Sequence, residues 1–387
     1  MKISELSTSQ NCTGCAACVS ICPKDAVTMH LRKTDGFYYP RINENKCIHC
    51  GLCEEVCPID KPKTQNKNSY AYSAFAYDTD VRNSGSSGGI FQLLAERVIR
   101  DGGVVFGAVF DAESKTIRHE STLNYPLKSI LGSKYAQSTI GNAYKQVKTL
   151  LLQDREVLFS GTPCQIRGLK AYLKHSAVKG KLLTVDFMCH GVPSPAQFGE
   201  FLDYLETKHG APICDVTFRE KDLGWRRQIT KVYFSDRSVW QKESLFWFHF
   251  YYFVHNYSLR DSCYDCMEYM CHQADITLAD YWLIPAELDD DKGTSLLLIN
   301  TPKGRLLLDD IISHVSLNTI DWQSKDYETF SHARYHKENK AVWQVEYEKS
   351  GLNAVKTKLL WKVAGKKYIL IYAKRVLSKI KSTLMHK

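Results

Sequence analysis

Eight of the fourteen cysteines lie within the first 57 residues and repeat one spacing. Cys12, Cys15, Cys18 and Cys22 precede Pro23. Cys47, Cys50, Cys53 and Cys57 precede Pro58. Each run reads C-x2-C-x2-C-x3-C-P, and the two are offset by a constant 35 residues. Three closely spaced thiolates can wrap one side of a 4Fe–4S cube. The fourth lies beyond a short turn that the proline ends, and in a two-cluster arrangement it ligates the other cluster. Eight thiolates at this spacing with trailing prolines argue against zinc. The start Met1-Lys2-Ile3-Ser4-Glu5 has no apolar h-region, so the thiols are expected in a reducing compartment, as ligands or core residues rather than disulfides. The pattern therefore predicts one-electron transfer through two 4Fe–4S clusters.

Four further cysteines fall where a third site could assemble. Ser160-Gly161-Thr162-Pro163-Cys164 follows the apolar run 157–159, and Cys189-His190-Gly191-Val192-Pro193 follows the apolar run 182–188. If both runs are strands of an open α/β sheet, both loops sit at its carboxyl edge, where ligands bind. Cys263-Tyr264-Asp265-Cys266 is a two-ligand clamp. Cys164, Cys189, Cys263 and Cys266 make up a third four-thiolate set; the alternative is that Cys164 and Cys189 are small core residues. Cys271 is a spare, and Cys214, before Val216-Thr217-Phe218, reads as core. A second kind of site is suggested by Ser84-Gly85-Ser86-Ser87-Gly88-Gly89 at a helix start, where backbone N–H groups can approach phosphate. Gly132-Ser133-Lys134-Tyr135-Ala136-Gln137-Ser138 adds a cation, a ring and donors suited to a flavin. The expected flavin contacts are Ser86, Ser87, Gly88, Gly89, Lys134, Tyr135, Gln137, Ser138 and Thr162. Lys134 could offset charge on a reduced flavin, and His190 could donate a proton or simply hold its loop.

The elements that must position these residues alternate. Helical spacing over 90–99, a stop at Gly102-Gly103, a strand over 104–110, a helix over 143–152, a strand over 157–159, a helix over 166–173, a strand over 182–188 and a helix over 196–205 describe an α/β body with a partly parallel sheet. Ser194-Pro195 supplies the last helix with an N-cap and a first-turn proline. The polar stretch 61–69 reads as a linker. The run 245–254 is too short to span a bilayer and reads as a buried helix or strand. The chain has 387 residues and a net charge of +9, yet residues 1–350 hold 41 basic and 42 acidic groups. The excess lies in residues 351–387, with ten Lys/Arg and no acid, interleaved with Leu359, Leu360, Trp361, Ile369 and Leu370. That is a basic amphipathic helix, either docked on its own domain or lying on an anionic membrane surface. Nothing accompanies the charge that would read nucleic acid.

Taken together, Ser86-Ser87-Gly88-Gly89, Gly132-Ser133-Lys134-Tyr135, Gly161-Thr162-Pro163-Cys164-Gln165-Ile166, Cys189 to Pro195, Phe218-Arg219 with Gly224-Trp225, and Cys263 to Trp282 resemble the coenzyme F420 hydrogenase/dehydrogenase beta-subunit family, with a bacterial-type two-cluster ferredoxin module in front. The stretch 274–282 resembles that family's SDIT-x-GD-x-W signature, with Ala274 in place of serine and Ala279 in place of glycine. The resemblance implies a ferredoxin domain at 1–62, a linker at 63–70, N-terminal-like and C-terminal-like beta-subunit domains at 71–155 and 156–325, and a basic helical tail at 326–387. It also implies FAD or FMN, iron–sulfur clusters, and electron exchange between a carrier such as ferredoxin or a redox partner subunit and an organic acceptor, either F420-like or from a polysaccharide pathway. The expected location is cytoplasmic, with the tail at the inner face of the membrane as one option. The rival readings are an electron-transfer subunit without its own substrate and an interaction protein of polysaccharide synthesis with an inactive body.

Overall fold

The structure, a computed structural model, describes residues 3–6, 10–59, 70–174, 176–178, 180–244, 247–266, 271–321 and 337–354. The expected linker at 61–69 and the basic segment from 355 onward lie outside the described residues.

The N-terminal module is built around a hairpin. Strands β1 (Val27–Arg32) and β2 (Phe37–Ile42) pair antiparallel from Val27↔Ile42 to Arg32↔Phe37. Gly36 closes the turn at φ +72°, where a side chain would collide with Ser194 of the body. The short helices Ala17–Ile21 and Leu52–Glu55 each follow a left-handed residue, Ala16 and Gly51. These turns let each cysteine run curl back on itself.

The body is a mixed α/β structure. Its eight-stranded sheet runs β13 (Val315–Thr319), β3 (Tyr70–Ala76), β12 (Ser295–Ile299), β11 (Ile276–Asp280), β7 (Leu182–Phe187), β6 (Val157–Ser160), β4 (Val104–Asp111), β5 (Thr116–Ser121). β11, β7, β6 and β4 are mutually parallel. β3 runs the same way, because both it and β11 are antiparallel to the intervening β12. Both faces are covered, which is why the strand sequences are continuous apolar runs. Successive side chains point to opposite faces. Val104, Phe106, Val157 and Phe159 meet the helices Ala143–Leu152 and Pro163–Leu173, while Val105, Leu158, Leu183 and Val185 meet Ile90–Arg100 and Pro302–Asp309. Cys15, Ala16, Ala17 and Val56 of the N-terminal module belong to the first of these cores. The module is thus docked on one face of the sheet.

A second, three-stranded antiparallel sheet of β8 (Ile213–Glu220), β9 (Ile229–Phe234) and β10 (Val239–Glu243) packs with the helices Pro195–His209 and Phe248–Val254 around Phe198, Phe201, Phe218, Trp247 and Phe253. Ser194 caps the first of these helices by accepting from Gln197 N–H. Cys214 departs from expectation. It is exposed, because the register of β8 on β9 shifts between Ile213 and Asp215, and this break in the alternation buries both Ile213 and Val216 while Cys214 and Asp215 stay outside. Ala279 lies within β11 opposite Leu296, in extended backbone where alanine needs no positive φ. The helix Lys337–Ala354, broken at Gly351, seats Trp343 and Tyr347 on Tyr251, Tyr252 and Tyr257. Among the described residues no helix is long and apolar enough to cross a membrane.

Candidate redox site

The two N-terminal cysteine runs exchange their last members. Cys12, Cys15, Cys18 and Cys57 line one apolar pocket together with Met29, Pro40, Pro58 and Ile59. Burial first, then the neighbouring Cys12 and Cys57, pushes the Cys15 thiol up to about 12. Four convergent thiols in an apolar cavity fit a 4Fe–4S cube, which binds them as thiolates. Cys22 instead reaches the second run, where its charge acts on Cys53. Slight burial opposes ionisation of Cys22, but the N–H groups of Lys24, Ala26 and Val27 outweigh it and hold the thiol below its ordinary value. The two ends differ in access. Cys12, Cys15 and Cys18 are buried, whereas Cys50 is exposed beside Ile48, itself 55 % exposed.

A third group forms at the carboxyl edge of the large sheet. Cys164 stands in the first turn of Pro163–Leu173, whose N-cap Thr162 forms a capping box with Gln165. That position places the Cys164 sulfur at the positive end of the helix dipole. Cys189 follows β7, and Cys263 ends the turn Asp261–Cys263, with Cys266 N–H donating to Cys263 O at 3.4 Å. Burial, then Cys263, Cys164 and Cys266, raises Cys189 well above its ordinary value. Burial, then Cys266, brings Cys263 up to about 12. The first and third groups adjoin. Cys15 acts on Cys164, and a Cβ placed on Gly168 would lie 3.0 Å from Cys15 Sγ.

The expected flavin contacts divide into two sets. Ser86 Oγ accepts from Ser133 N–H (2.7 Å) and Oγ (2.8 Å), so the two candidate loops meet. Ser87 Oγ donates to Thr294 O, and Gly88 N–H to Ser295 Oγ. Gly88 has no room for a Cβ, which would stand 2.3 Å from Ala74 O, and Gly89 is left-handed at φ +81°. Tyr135 sits in a box of Phe218, Phe250 and Phe253 with centroids 4.9–5.7 Å away. The remaining residues are committed elsewhere. Gln137 Nε2 donates to Thr13 O, Ser138 Oγ accepts from Gln165, and Thr162 caps its helix. The His190 ring packs edge-on against Phe253 at 5.0 Å. Lys134 Nζ donates to the carbonyls of Ser129, Leu131 and Gly132. Burial drags it down to about 7, yet three carbonyl acceptors call for three N–H donors, which only the ammonium form supplies.

Residues 154–325 match the family model for the C terminus of the beta subunit of coenzyme F420 hydrogenase/dehydrogenase, and residues 11–61 match the 4Fe-4S dicluster domain. The chain thus carries a C-terminal domain of this beta-subunit family behind a 4Fe-4S dicluster domain. An uncharacterized protein of Methanocaldococcus jannaschii is 27 % identical over 191 residues, covering 41 % of this chain and 51 % of that one. The coenzyme F420-dependent sulfite reductase of the same organism is 28 % identical over 177 residues, covering 44 % of this chain and 26 % of the enzyme. This chain spans about half or less of the length of the curated relatives it matches. A chain of the F420-reducing NiFe hydrogenase complex from Methanosarcina barkeri superposes with a TM-score of 0.48 at 16 % identity, over 75 % of this chain and 95 % of that one.

Within the beta-subunit region the structure adds a residue that sequence reasoning left without a role. Arg219, on β8, is buried and gives Nη1 to Asp280 at 2.6 Å. Its Nε and Nη2 have no hydrogen-bond partner among the described residues. The Tyr135 phenol is near enough to interact with the guanidinium, but not in bonding geometry to those two nitrogens. Trp225 and Trp282 stack beside it, centroids 4.5 Å apart, with Trp282 5.8 Å from the guanidinium. Lys221, pulled down to about 8 by burial and by Arg219 and Arg82, ties this corner to the carbonyls of Arg82, Ser87 and Lys292. The sequence signal was the juxtaposition Phe218-Arg219 and Asp280-Tyr281-Trp282. It could not show that the two stretches touch.

Proposed function

We propose that this chain is an iron–sulfur flavoprotein oxidoreductase that exchanges single electrons with a carrier at its exposed Cys47–Cys53 end and serves an organic acceptor at the carboxyl edge of the body. The observation that carries this reading is the convergence of Cys164, Cys189, Cys263 and Cys266 directly behind Cys15. Cys12, Cys15, Cys18 and Cys57 would hold one 4Fe–4S cluster, Cys22, Cys47, Cys50 and Cys53 a second, and the body cysteines a third. Such clusters supply one-electron transfer, and a flavin supplies the junction to two-electron chemistry.

The protein's own share is placement and exclusion of water. Arg219, with two buried donors to spare, would take an anionic or carbonyl oxygen of the flavin, because an unsatisfied buried donor costs about 1–3 kcal/mol. Trp225 and Trp282 form a flat apolar wall there. The Ser86–Gly89 loop, tied to Ser133, fixes the approach from β3. Lys134 would act by holding the 129–134 loop through its three carbonyl contacts, and His190 by ordering the turn after Cys189. The names of the relatives make a deazaflavin the first acceptor to test. Anaerobic purification with iron, sulfide and flavin quantitation tests the reading. About twelve irons, four per four-thiolate cube, with one flavin per chain is expected. About eight irons and no flavin would overturn it.

A further inference from the structure

One residue is fastened to both inner cysteine groups. Arg260 is fully buried. Its side chain spends three nitrogens on three different acceptors: Nε on Cys12 O at 2.6 Å, Nη1 on Gln137 Oε1 at 2.8 Å and Nη2 on Tyr38 O at 2.9 Å. Gln137 in turn donates to Thr13 O. The loop from Cys12 to Cys15 is wrapped tightly on this pair, since a Cβ on Gly14 would come within 2.9 Å of Gln137 and 3.0 Å of Arg260. The backbone of Arg260 faces the other way. Its N–H donates to Val192 O, three residues past Cys189, and its carbonyl accepts from Cys263 N–H at 2.9 Å.

The charge is as unusual as the position. The carboxylates nearby are engaged with other cations: Asp35 with Arg32, and Asp261 with Arg32 (2.7 Å) and Lys340 (3.6 Å). Arg260 bonds only to neutral acceptors, and among the described residues it forms no ion pair. A buried cation without a counter-ion is costly, so it is retained where an anion offsets it. The two four-cysteine groups flank it, one tied to its guanidinium at Cys12 O and the other to its backbone carbonyl at Cys263 N–H. A 4Fe–4S unit with four thiolates is a dianion when oxidised and a trianion when reduced. A fixed cation beside it therefore favours the reduced state.

We propose that Arg260 is a positioning residue shared by the two inner thiolate groups, setting the reduction potential of the site at Cys12, Cys15, Cys18 and Cys57 and fixing its distance from Cys263. This rests on the reading that both groups carry clusters. One electron leaves one group as the other gains it, with no proton and no bond exchanged, so electrostatics and distance are the levers the protein holds.

The test uses the full-length, anaerobically purified chain, with iron determination followed by a redox titration monitored by electron paramagnetic resonance. Arg260→Gln should keep its iron and lower the equilibrium constant for reducing one cluster by about tenfold or more, which is about 59 mV for a one-electron couple. Arg260→Lys keeps the charge and should stay within about threefold of the parent. A Gln variant with full iron and unchanged potentials overturns the inference. Should the Gln variant lose its iron, the Lys variant decides: a tenfold fall with the charge retained also overturns it. A parent protein lacking the third cluster fails at the iron determination, before any variant is made, and so refutes the underlying reading instead.

Discussion

Gly168 offers a sharp test of how the N-terminal module sits on the body. It lies inside the helix Pro163–Leu173, at an ordinary helical φ. Replacing an interior helical glycine by alanine ordinarily stabilises by about 0.5–1 kcal/mol, through lost backbone freedom in the unfolded chain. Here the added Cβ would stand 2.9 Å from Cys15 Cβ, 3.0 Å from its Sγ and 3.1 Å from the Tyr144 hydroxyl. Cys15 cannot swing away, because it lines the cavity with Cys12, Cys18 and Cys57, and Tyr144 is fixed by its 2.6 Å bond to Gln165 O. Overpacking of this kind costs about 1–3 kcal/mol. The net expectation for Gly168→Ala is destabilisation by about 1 kcal/mol, with loss or spectral change of the inner N-terminal cluster. Gly199, in the helix Pro195–His209, is an internal control: its added Cβ meets only Lys115 O, at 3.9 Å. Gly199→Ala should stabilise by about 0.5–1 kcal/mol. Urea unfolding and iron content, measured side by side, decide. If Gly168→Ala stabilises as Gly199→Ala does, with iron and spectrum intact, the docking of the module against this helix is refuted.

Cys164→Ser should lose about four irons, one cluster's worth, while the N-terminal signals persist; retention of all the iron would remove Cys164 from the third group. Arg219→Gln should weaken flavin retention about tenfold or more, as expected for losing hydrogen bonds from a charged group worth about 1.5–3 kcal/mol, and full flavin occupancy after extensive dialysis would count against its role. Stability should also fall on acidification. His119 and His249 are buried, each donates Nε2–H to a carbonyl, and burial pushes both from 6.5 to about 4. The unfolded chain takes up these protons below about pH 6.5 and the native one only near pH 4. Their stabilisation is therefore full above pH 6.5 and shrinks toward pH 4, at up to about 1.4 kcal/mol per pH unit for each histidine. His249→Gln should remove about half of that slope in urea titrations between pH 7 and 5, and an unchanged slope would contradict the assignment.

Electron-transfer chemistry and most of the scaffold are legible in the order of the residues alone. The double cysteine run is a local pattern, legible because each ligand lies a few residues from the next. The strands at 104–111, 157–160 and 182–187 were legible because burial on both faces makes them continuously apolar. Ser194-Pro195 was legible as a cap because the capping bond is made within three residues. Contacts beyond that range depend on packing. Cys214 lies outside the core because a register shift between Ile213 and Asp215 breaks the alternation, and a short apolar window does not announce such a shift. Arg219 meets Asp280 across 61 residues, and Arg260 meets Cys12 across 248. A lone arginine leaves no periodic trace in a sequence. Its role is fixed only by the packing that buries it and by the acceptors which that packing supplies or withholds, so the cysteines told of electrons from the first while the residues that govern them emerged only with the fold.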